Sequence, residues 1–157
     1  MKKYKIGYKA RKGDRNMKNI LDGQIQVIEC AESWEEAIKI AAQPLIEKNK
    51  IKSGYVDKMI ASIKELGPYV ILLPGVAMPH ARPDENVLES SVSLLKINKG
   101  VSFSEETDDV KLMFVLAAKD STSHIEIIEE LTGLLGDDEK IEQLMKAETL
   151  QEIENVL

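Results

Sequence analysis

One histidine stands in a loop whose composition restricts the backbone. His80 lies between Pro79 and Pro83, shortly after the apolar run Val70–Leu73, and Gly75 permits a tight path upstream of it. An imidazole has a reference pKa of about 6.5, so a nucleophilic ring nitrogen is available at neutral pH. His80 is therefore a candidate phosphoryl acceptor. From the residue types alone, a surface histidine without chemistry is the alternative.

Two other side chains suit a site for phosphoryl groups. His124 follows Ser123, and we predict that Ser123 and Glu126 form a capping box that opens a helix. His124 would then lie in the first helical turn, where unpaired N–H groups and the helix dipole favour an anion. Arg82 is the nearest cation to His80 along the chain, and arginine binds phosphate oxygens bidentately. The alternatives are a helix-start residue facing water and a solvated loop charge.

Composition predicts one cytoplasmic domain of ordinary size. The 157 residues are 43% hydrophobic and 31% charged, which is enough to form a core. Cys30 is the single cysteine, so neither a disulfide framework nor a multi-cysteine zinc site is expected. A reducing compartment is favoured, and we find no secretory signal and no apolar run of about 18 residues. We expect no metal and no cofactor.

The charge of the chain is unevenly distributed. Residues 1–16 carry seven lysines and arginines against Asp14, so this segment is +6 while the whole chain is −6. The remaining residues, 17–157, therefore carry −12, which argues against nucleic acid as a partner. We expect a basic N-terminal extension at 1–16, either solvated or acting as a binding arm, and a domain at 17–157.

The pattern of apolar residues and caps predicts alternating strands and helices. Strands are expected at 25–30, 70–73, 91–97 and 110–118, with the last of them central, and the segments 74–83 and 98–100 are expected to be a loop and a turn. Helices are expected after Ser33, from 53 to 66, after Ser123, after Asp137 and after Thr149. Pro44 would kink or end the first of these. The fold class is α/β, a mixed sheet flanked by helices on both faces.

The segment around His80 resembles a family signature. Residues 75–81 read GVAMPHA, which is similar to the phosphohistidine signature of enzyme IIA domains of the fructose/mannitol type, in the bacterial phosphoenolpyruvate-dependent sugar phosphotransferase system. Residues 67–69 and 80–83 look more like the ascorbate branch than the mannitol branch. The resemblance extends through the region of His124 to the C-terminal helix, and it covers residues 17–157.

This resemblance implies a phosphocarrier. His80 would accept a phosphoryl group from phospho-HPr and donate it to a cysteine of the cognate enzyme IIB, which feeds the membrane enzyme IIC. His124 would be a supporting imidazole, and the sugar would be ascorbate or a related one. The chain departs from mannitol-type members at their active-site arginine, because alignment places either Lys64 or Ser62 there. Arg82 is our candidate for the missing charge.

Other functions stay open at this point. A regulatory relative of the nitrogen type would use the same phosphorylation as a signal. A hydrolase would combine the two histidines with Asp84 and Asp120, although these residues form no i, i+4 ligand pair on a helix. A non-catalytic interaction domain would use none of them. The oligomeric state, including a homodimer, is also open.

Overall fold

Five strands form a mixed sheet with helices on both faces, as the sequence predicts. The structure is a computed structural model that describes residues 16–157. The strands are Ile25–Ile28 (β1), Ile71–Leu73 (β2), Val76–Ala77 (β3), Ser91–Val101 (β4) and Val110–Ala117 (β5). The helices are Met17–Ile20 (α1), Trp34–Glu47 (α2), Ser53–Leu66 (α3), Ile125–Leu135 (α4), Asp138–Lys146 (α5) and Leu150–Val156 (α6). The extension predicted at 1–16 lies outside the described residues, except for Asn16, which caps α1.

The middle strand of the sheet is β5, as predicted. The strand order is β1-β4-β5-β3-β2, in which β4 runs antiparallel to β5 while β3 runs parallel to it. Successive side chains of β5 alternate between two hydrophobic cores. Met113, Val115 and Ala117 pack in the core of α2 and α3. Leu112, Phe114 and Leu116 pack in the core of the remaining helices.

Helix α2 continues past its internal proline. Ser33 caps its first turn by accepting a hydrogen bond from the Glu36 amide, as predicted. Pro44 has no N–H for the Ile40 carbonyl, yet the helix runs on to Glu47. The side-chain amide of Gln26, on β1, donates to that carbonyl at 2.6 Å. A bond from the sheet therefore replaces the one that Pro44 cannot make.

Two segments that the sequence predicts to be irregular are strands. The predicted turn at 98–100 is wrong, because β4 continues to Val101 with a register shift between Lys96 and Val101. Gly100 absorbs this irregularity with a φ of +78°. The predicted loop 74–83 contains β3, and the Gly75 carbonyl before it accepts from two backbone amides of the central strand. This pairing fixes where the following residues leave the sheet.

The C-terminal helices carry the predicted caps. Asp137 accepts from the Lys140 amide at the start of α5, and Thr149 exchanges reciprocal bonds with Glu152 in a capping box at the start of α6. Glycine at 67 ends α3 with a φ of +87°, also as predicted. Within residues 16–157, no helix is long and apolar enough to span a membrane.

Candidate functional site

The three candidate residues of the sequence lie around one pocket. Strands β3 and β5 are parallel, so the segments that follow them leave the same edge of the sheet. A pocket of about 530 Å³ lies at this edge. It is lined by the three candidates together with residues of α3, the segment after α3 and the segment before α4, among them Tyr55, Ser62, Leu66, Tyr69, His80, Arg82, Asp120 and His124.

The imidazole of His80 is held in one orientation. It is half-buried, and its Nδ1 lies 2.7 Å from the carbonyl oxygen of Met78. Because a carbonyl oxygen can only accept, Nδ1 carries the proton in this bond. In the neutral ring Nε2 then bears the lone pair. The geometry therefore presents Nε2 as the nucleophilic nitrogen.

A buried tyrosine fixes the backbone next to His80. Tyr55, on α3, is fully buried, and its hydroxyl lies 2.8 Å from the Leu116 carbonyl oxygen and 3.2 Å from that of Ala81. The hydroxyl oxygen of Tyr55 also accepts a hydrogen bond from the Ala81 amide at 3.0 Å. Burial raises the pKa of Tyr55 to about 12, so the hydroxyl stays protonated and able to donate. Tyr55 thereby joins the loop to the end of β5.

A second tyrosine contacts His80 itself. Tyr69 follows α3, and its ring meets the imidazole edge-on, with centroids 5.6 Å apart and an interplanar angle of 83°. Its hydroxyl donates to the His80 carbonyl oxygen at 3.1 Å. Neither tyrosine is among the site residues predicted from the sequence. The only signal was the presence of Tyr69 in the segment that resembles the ascorbate branch.

Arg82 is exposed at the mouth of the pocket. Its backbone carbonyl accepts from Lys58 at 2.8 Å, and the same ammonium pairs with Asp84 at 3.0 Å. The pKa of Asp84 is lowered, first by the bond from Lys58 and then by the Asn86 amide. Within the part of the chain that the structure describes, the guanidinium has no hydrogen bond or ion pair. Arg82 therefore has an anchored backbone and an uncommitted charge.

Helix α4 begins one residue later than predicted, so the expected capping box at Ser123 is wrong. His124 is the N-cap, without a side-chain capping bond. The cause is Asp120, whose carboxylate accepts from the amides of Thr122 and Ser123 at 2.9 and 2.6 Å. These bonds lower the pKa of Asp120 to about 2, and the bond from the Ser123 amide has the largest effect. His124 therefore lies at the junction of this turn and the helix.

The imidazole of His124 has an unpaired nitrogen. Its Nδ1 is buried and has no hydrogen-bond partner within residues 16–157. A buried polar atom without a partner costs about 1–3 kcal/mol. His124 also lines the pocket, so its ring adjoins any group bound there.

Ser62 and Lys64, the two residues expected at the position of the arginine of mannitol-type members, differ in where they lie. Ser62 lines the pocket, whereas Lys64 points elsewhere, is 63% exposed and lies 4.0 Å from Glu35 of α2. Neither is an arginine, so within the described residues Arg82 is the cation that lines the pocket.

The hydrolase alternative gains no support from the carboxylates. Asp84 is engaged by Lys58, and Asp120 is engaged by the turn before α4. No cluster of three or more histidine, cysteine, aspartate or glutamate residues that could hold a metal ion occurs among residues 16–157.

Comparison with known proteins identifies the family. The model of the phosphoenolpyruvate-dependent sugar phosphotransferase system EIIA 2 family matches residues 20–157. The mannitol-specific cryptic phosphotransferase enzyme IIA component of Escherichia coli K12 is 38% identical over 136 residues, 87% of this chain and 92% of the relative. The ascorbate-specific PTS system EIIA component of the same strain is 33% identical over 125 residues, 78% of this chain and 81% of the relative.

Solved structures agree with this. The solution structure of the E. coli mannitol-specific cryptic enzyme IIA matches with a TM-score of 0.82 and 37% identity, over 88% of this chain and 95% of that one. The mannitol enzyme IIA in the E. coli complex of enzyme IIA with phosphorylated enzyme IIB matches with a TM-score of 0.71 and 28% identity, over 85% and 93%. The chain belongs to the type-2 EIIA family of the sugar phosphotransferase system, whose members are phosphotransfer proteins.

Proposed function

We propose that His80 accepts a phosphoryl group from phospho-HPr and donates it to a cysteine of an enzyme IIB. The observation that carries this proposal is the bond between Nδ1 and the Met78 carbonyl, which leaves the lone pair on Nε2. A new P–N bond forms at Nε2 as the bond to the donor breaks, and no proton has to leave Nε2. In the second step the P–N bond breaks as a P–S bond forms on the acceptor thiolate.

Arg82 and His124 stabilise the negative charge of the phosphoryl group during transfer. Little covalent chemistry is asked of a protein during phosphoryl transfer, so positioning and electrostatics account for most of the catalysis. The free guanidinium of Arg82 can approach phosphoryl oxygens from the mouth of the pocket, and the imidazole of His124 can donate to them from its wall. We infer that Ser62, which lines the pocket, and not Lys64 replaces the arginine expected in mannitol-type members, and that it offers a neutral hydroxyl there.

An apolar rim suits the approach of partner proteins. Leu66 and Tyr69 line the pocket and are 67% and 40% exposed, and Ile125, next to His124, is 51% exposed. Exposed apolar side chains around a reactive group are typical of sites that bind other proteins. The related mannitol enzyme IIA forms a complex with phosphorylated enzyme IIB. We infer the same class of acceptor here, with a cytoplasmic location and enzyme IIC downstream.

For the sugar we propose ascorbate or a related compound. The support is the segment 67–69 with residues 80–83, which resemble the ascorbate branch. Tyr69 contacts the ring of His80, and Arg82 lines the same pocket. Over the aligned residues, the mannitol-specific relative shares more identity than the ascorbate-specific one, 38% over 136 residues against 33% over 125. Competition between the two acceptors decides the point.

The test is a reconstituted relay. The chain is incubated with phosphoenolpyruvate, enzyme I and HPr, and then with an ascorbate-type or a mannitol-type enzyme IIB. We expect one acid-labile phosphoryl group, none on the His80→Gln variant, and faster transfer to the ascorbate-type acceptor. Preference for the mannitol-type acceptor overturns the sugar assignment. Phosphorylation without transfer to either acceptor supports the regulatory alternative, and phosphorylation of the His80→Gln variant overturns the site.

A further inference from the structure

Tyr69 makes two contacts with a single residue. Its ring edge meets the imidazole of His80, and its hydroxyl donates to the carbonyl of the same residue at 3.1 Å. The side chain is 40% exposed, so the packing of the core does not explain its placement. Aromatic pairs in this edge-to-face geometry are favourable, and the hydrogen bond from the Tyr69 hydroxyl adds to the stabilisation.

The other anchors of the loop do not restrain the ring directly. The Leu116 amide holds the Pro79 carbonyl, and the hydroxyl of Tyr55 holds the peptide of Ala81. These bonds fix the backbone on either side of His80. Rotation of the imidazole away from Met78 would break the bond at Nδ1, and the ring of Tyr69 is the aromatic surface packed against it.

We propose that Tyr69 is a positioning residue that keeps the His80 ring on the Met78 carbonyl and so holds Nε2 in its nucleophilic form. Tyr69 acts through His80, because its hydroxyl is already committed to the His80 carbonyl. The proposal deepens the phosphocarrier function above and rests on it. The proposal concerns the tautomer of the His80 imidazole. Without Tyr69, the ring turns, and in part of the population the proton lies on Nε2.

Tautomer populations test this without any partner protein. Imidazole ¹⁵N NMR of the unphosphorylated chain at mildly alkaline pH is expected to show the Nδ1–H form of His80 in the parent. The Tyr69→Phe variant keeps the ring and loses the hydroxyl, and Tyr69→Leu loses both. We expect the Nε2–H fraction to rise from parent to Tyr69→Phe to Tyr69→Leu. Leu88→Ala, at another side chain that is 41% exposed but does not line the pocket, is the control and should equal the parent.

The rate of phosphoryl transfer from phospho-HPr to the Tyr69 variants is the second test. The loss of one hydrogen bond predicts a fall of about three- to tenfold in the rate at saturating phospho-HPr for Tyr69→Phe. Tyr69→Leu should also raise the KM, because it removes part of the apolar rim. Unchanged tautomers in both variants overturn the proposal, even if stability or KM changes. A parent that shows the Nδ1–H form but accepts no phosphoryl group overturns the proposed function and leaves the positioning role of Tyr69 standing.

Discussion

Removal of the Tyr55 hydroxyl is expected to destabilise the chain and loosen the His80 loop. The Tyr55→Phe variant keeps the buried ring, so no cavity forms. What is lost is the donor to the Leu116 carbonyl at 2.8 Å and the acceptor for the Ala81 amide at 3.0 Å. Each bond contributes about 0.5–1.5 kcal/mol, and a buried group left unpaired adds to the loss, so we expect about 2–3 kcal/mol in total.

Urea denaturation followed by circular dichroism measures this. For a chain of this size, the expected loss corresponds to a fall of about 5–10 °C in Tm. The denaturant slope should not change, since Phe buries the same ring. Tyr69→Phe is the control, because the same substitution at a side chain that is 40% exposed should cost less than about 1 kcal/mol. An unfolding free energy for Tyr55→Phe within about 0.5 kcal/mol of the parent would refute the reasoning.

Three further substitutions have defined outcomes. Arg82→Ala should slow transfer from phospho-HPr by about tenfold or more, with Arg82→Lys partly active, because a point charge lacks the bidentate geometry; equal rates for parent and Arg82→Ala contradict this. Gly75→Ala should lower the unfolding free energy by about 1–2 kcal/mol, because alanine is strained at a φ of +85° and its Cβ would meet the end of Met145 at 2.7 Å; an unchanged denaturation midpoint would show that the turn relaxes. The charge of Asp120 stabilises the chain above its usual pKa of 3.8, and this contribution is lost as the pH falls through its folded pKa of about 2. Denaturation of Asp120→Asn between about pH 5 and pH 2.5 should therefore show a shallower pH dependence than the parent, and identical profiles would contradict the assignment.

Elements with strong local signals were predictable. The run 110–117 is apolar at almost every position because the strand is covered on both faces, and this marks it as central. Ser33, Asp137 and Thr149 cap helices through bonds to amides three residues away, so the sequence shows them directly. Gly67 ends α3 for an equally local reason.

Elements that depend on distant partners were not predictable. Strand β3 has two residues, too few for a pattern, and exists because Val76 and Ala77 pair with Leu112 and Met113. The start of α4 moved because a carboxylate in the preceding turn competed for the amides of the predicted cap.

The candidate site divides in the same way. The signature around His80 was visible as a motif. The contacts of Tyr55 with residues 26 and 61 positions away depend on the sheet topology, and no local pattern reports them. Whether Ser62 or Lys64 lines the pocket depends on the face of α3 that each occupies. Tyr55, Ser62 and Leu66 are spaced by seven and four residues, which places them on one side of the helix, and Lys64 lies on another.

The nitrogen of His80 that carries phosphorus is the most direct test of the account. The chain is phosphorylated through enzyme I and HPr, and ³¹P and ¹⁵N NMR then locate the P–N bond. We expect a single phosphoramidate on Nε2 of His80, with the Nδ1 proton still bound to the Met78 carbonyl, and none on the His80→Gln variant. A phosphoryl group on Nδ1, or on any other residue, would contradict the orientation of the ring on which the mechanism depends.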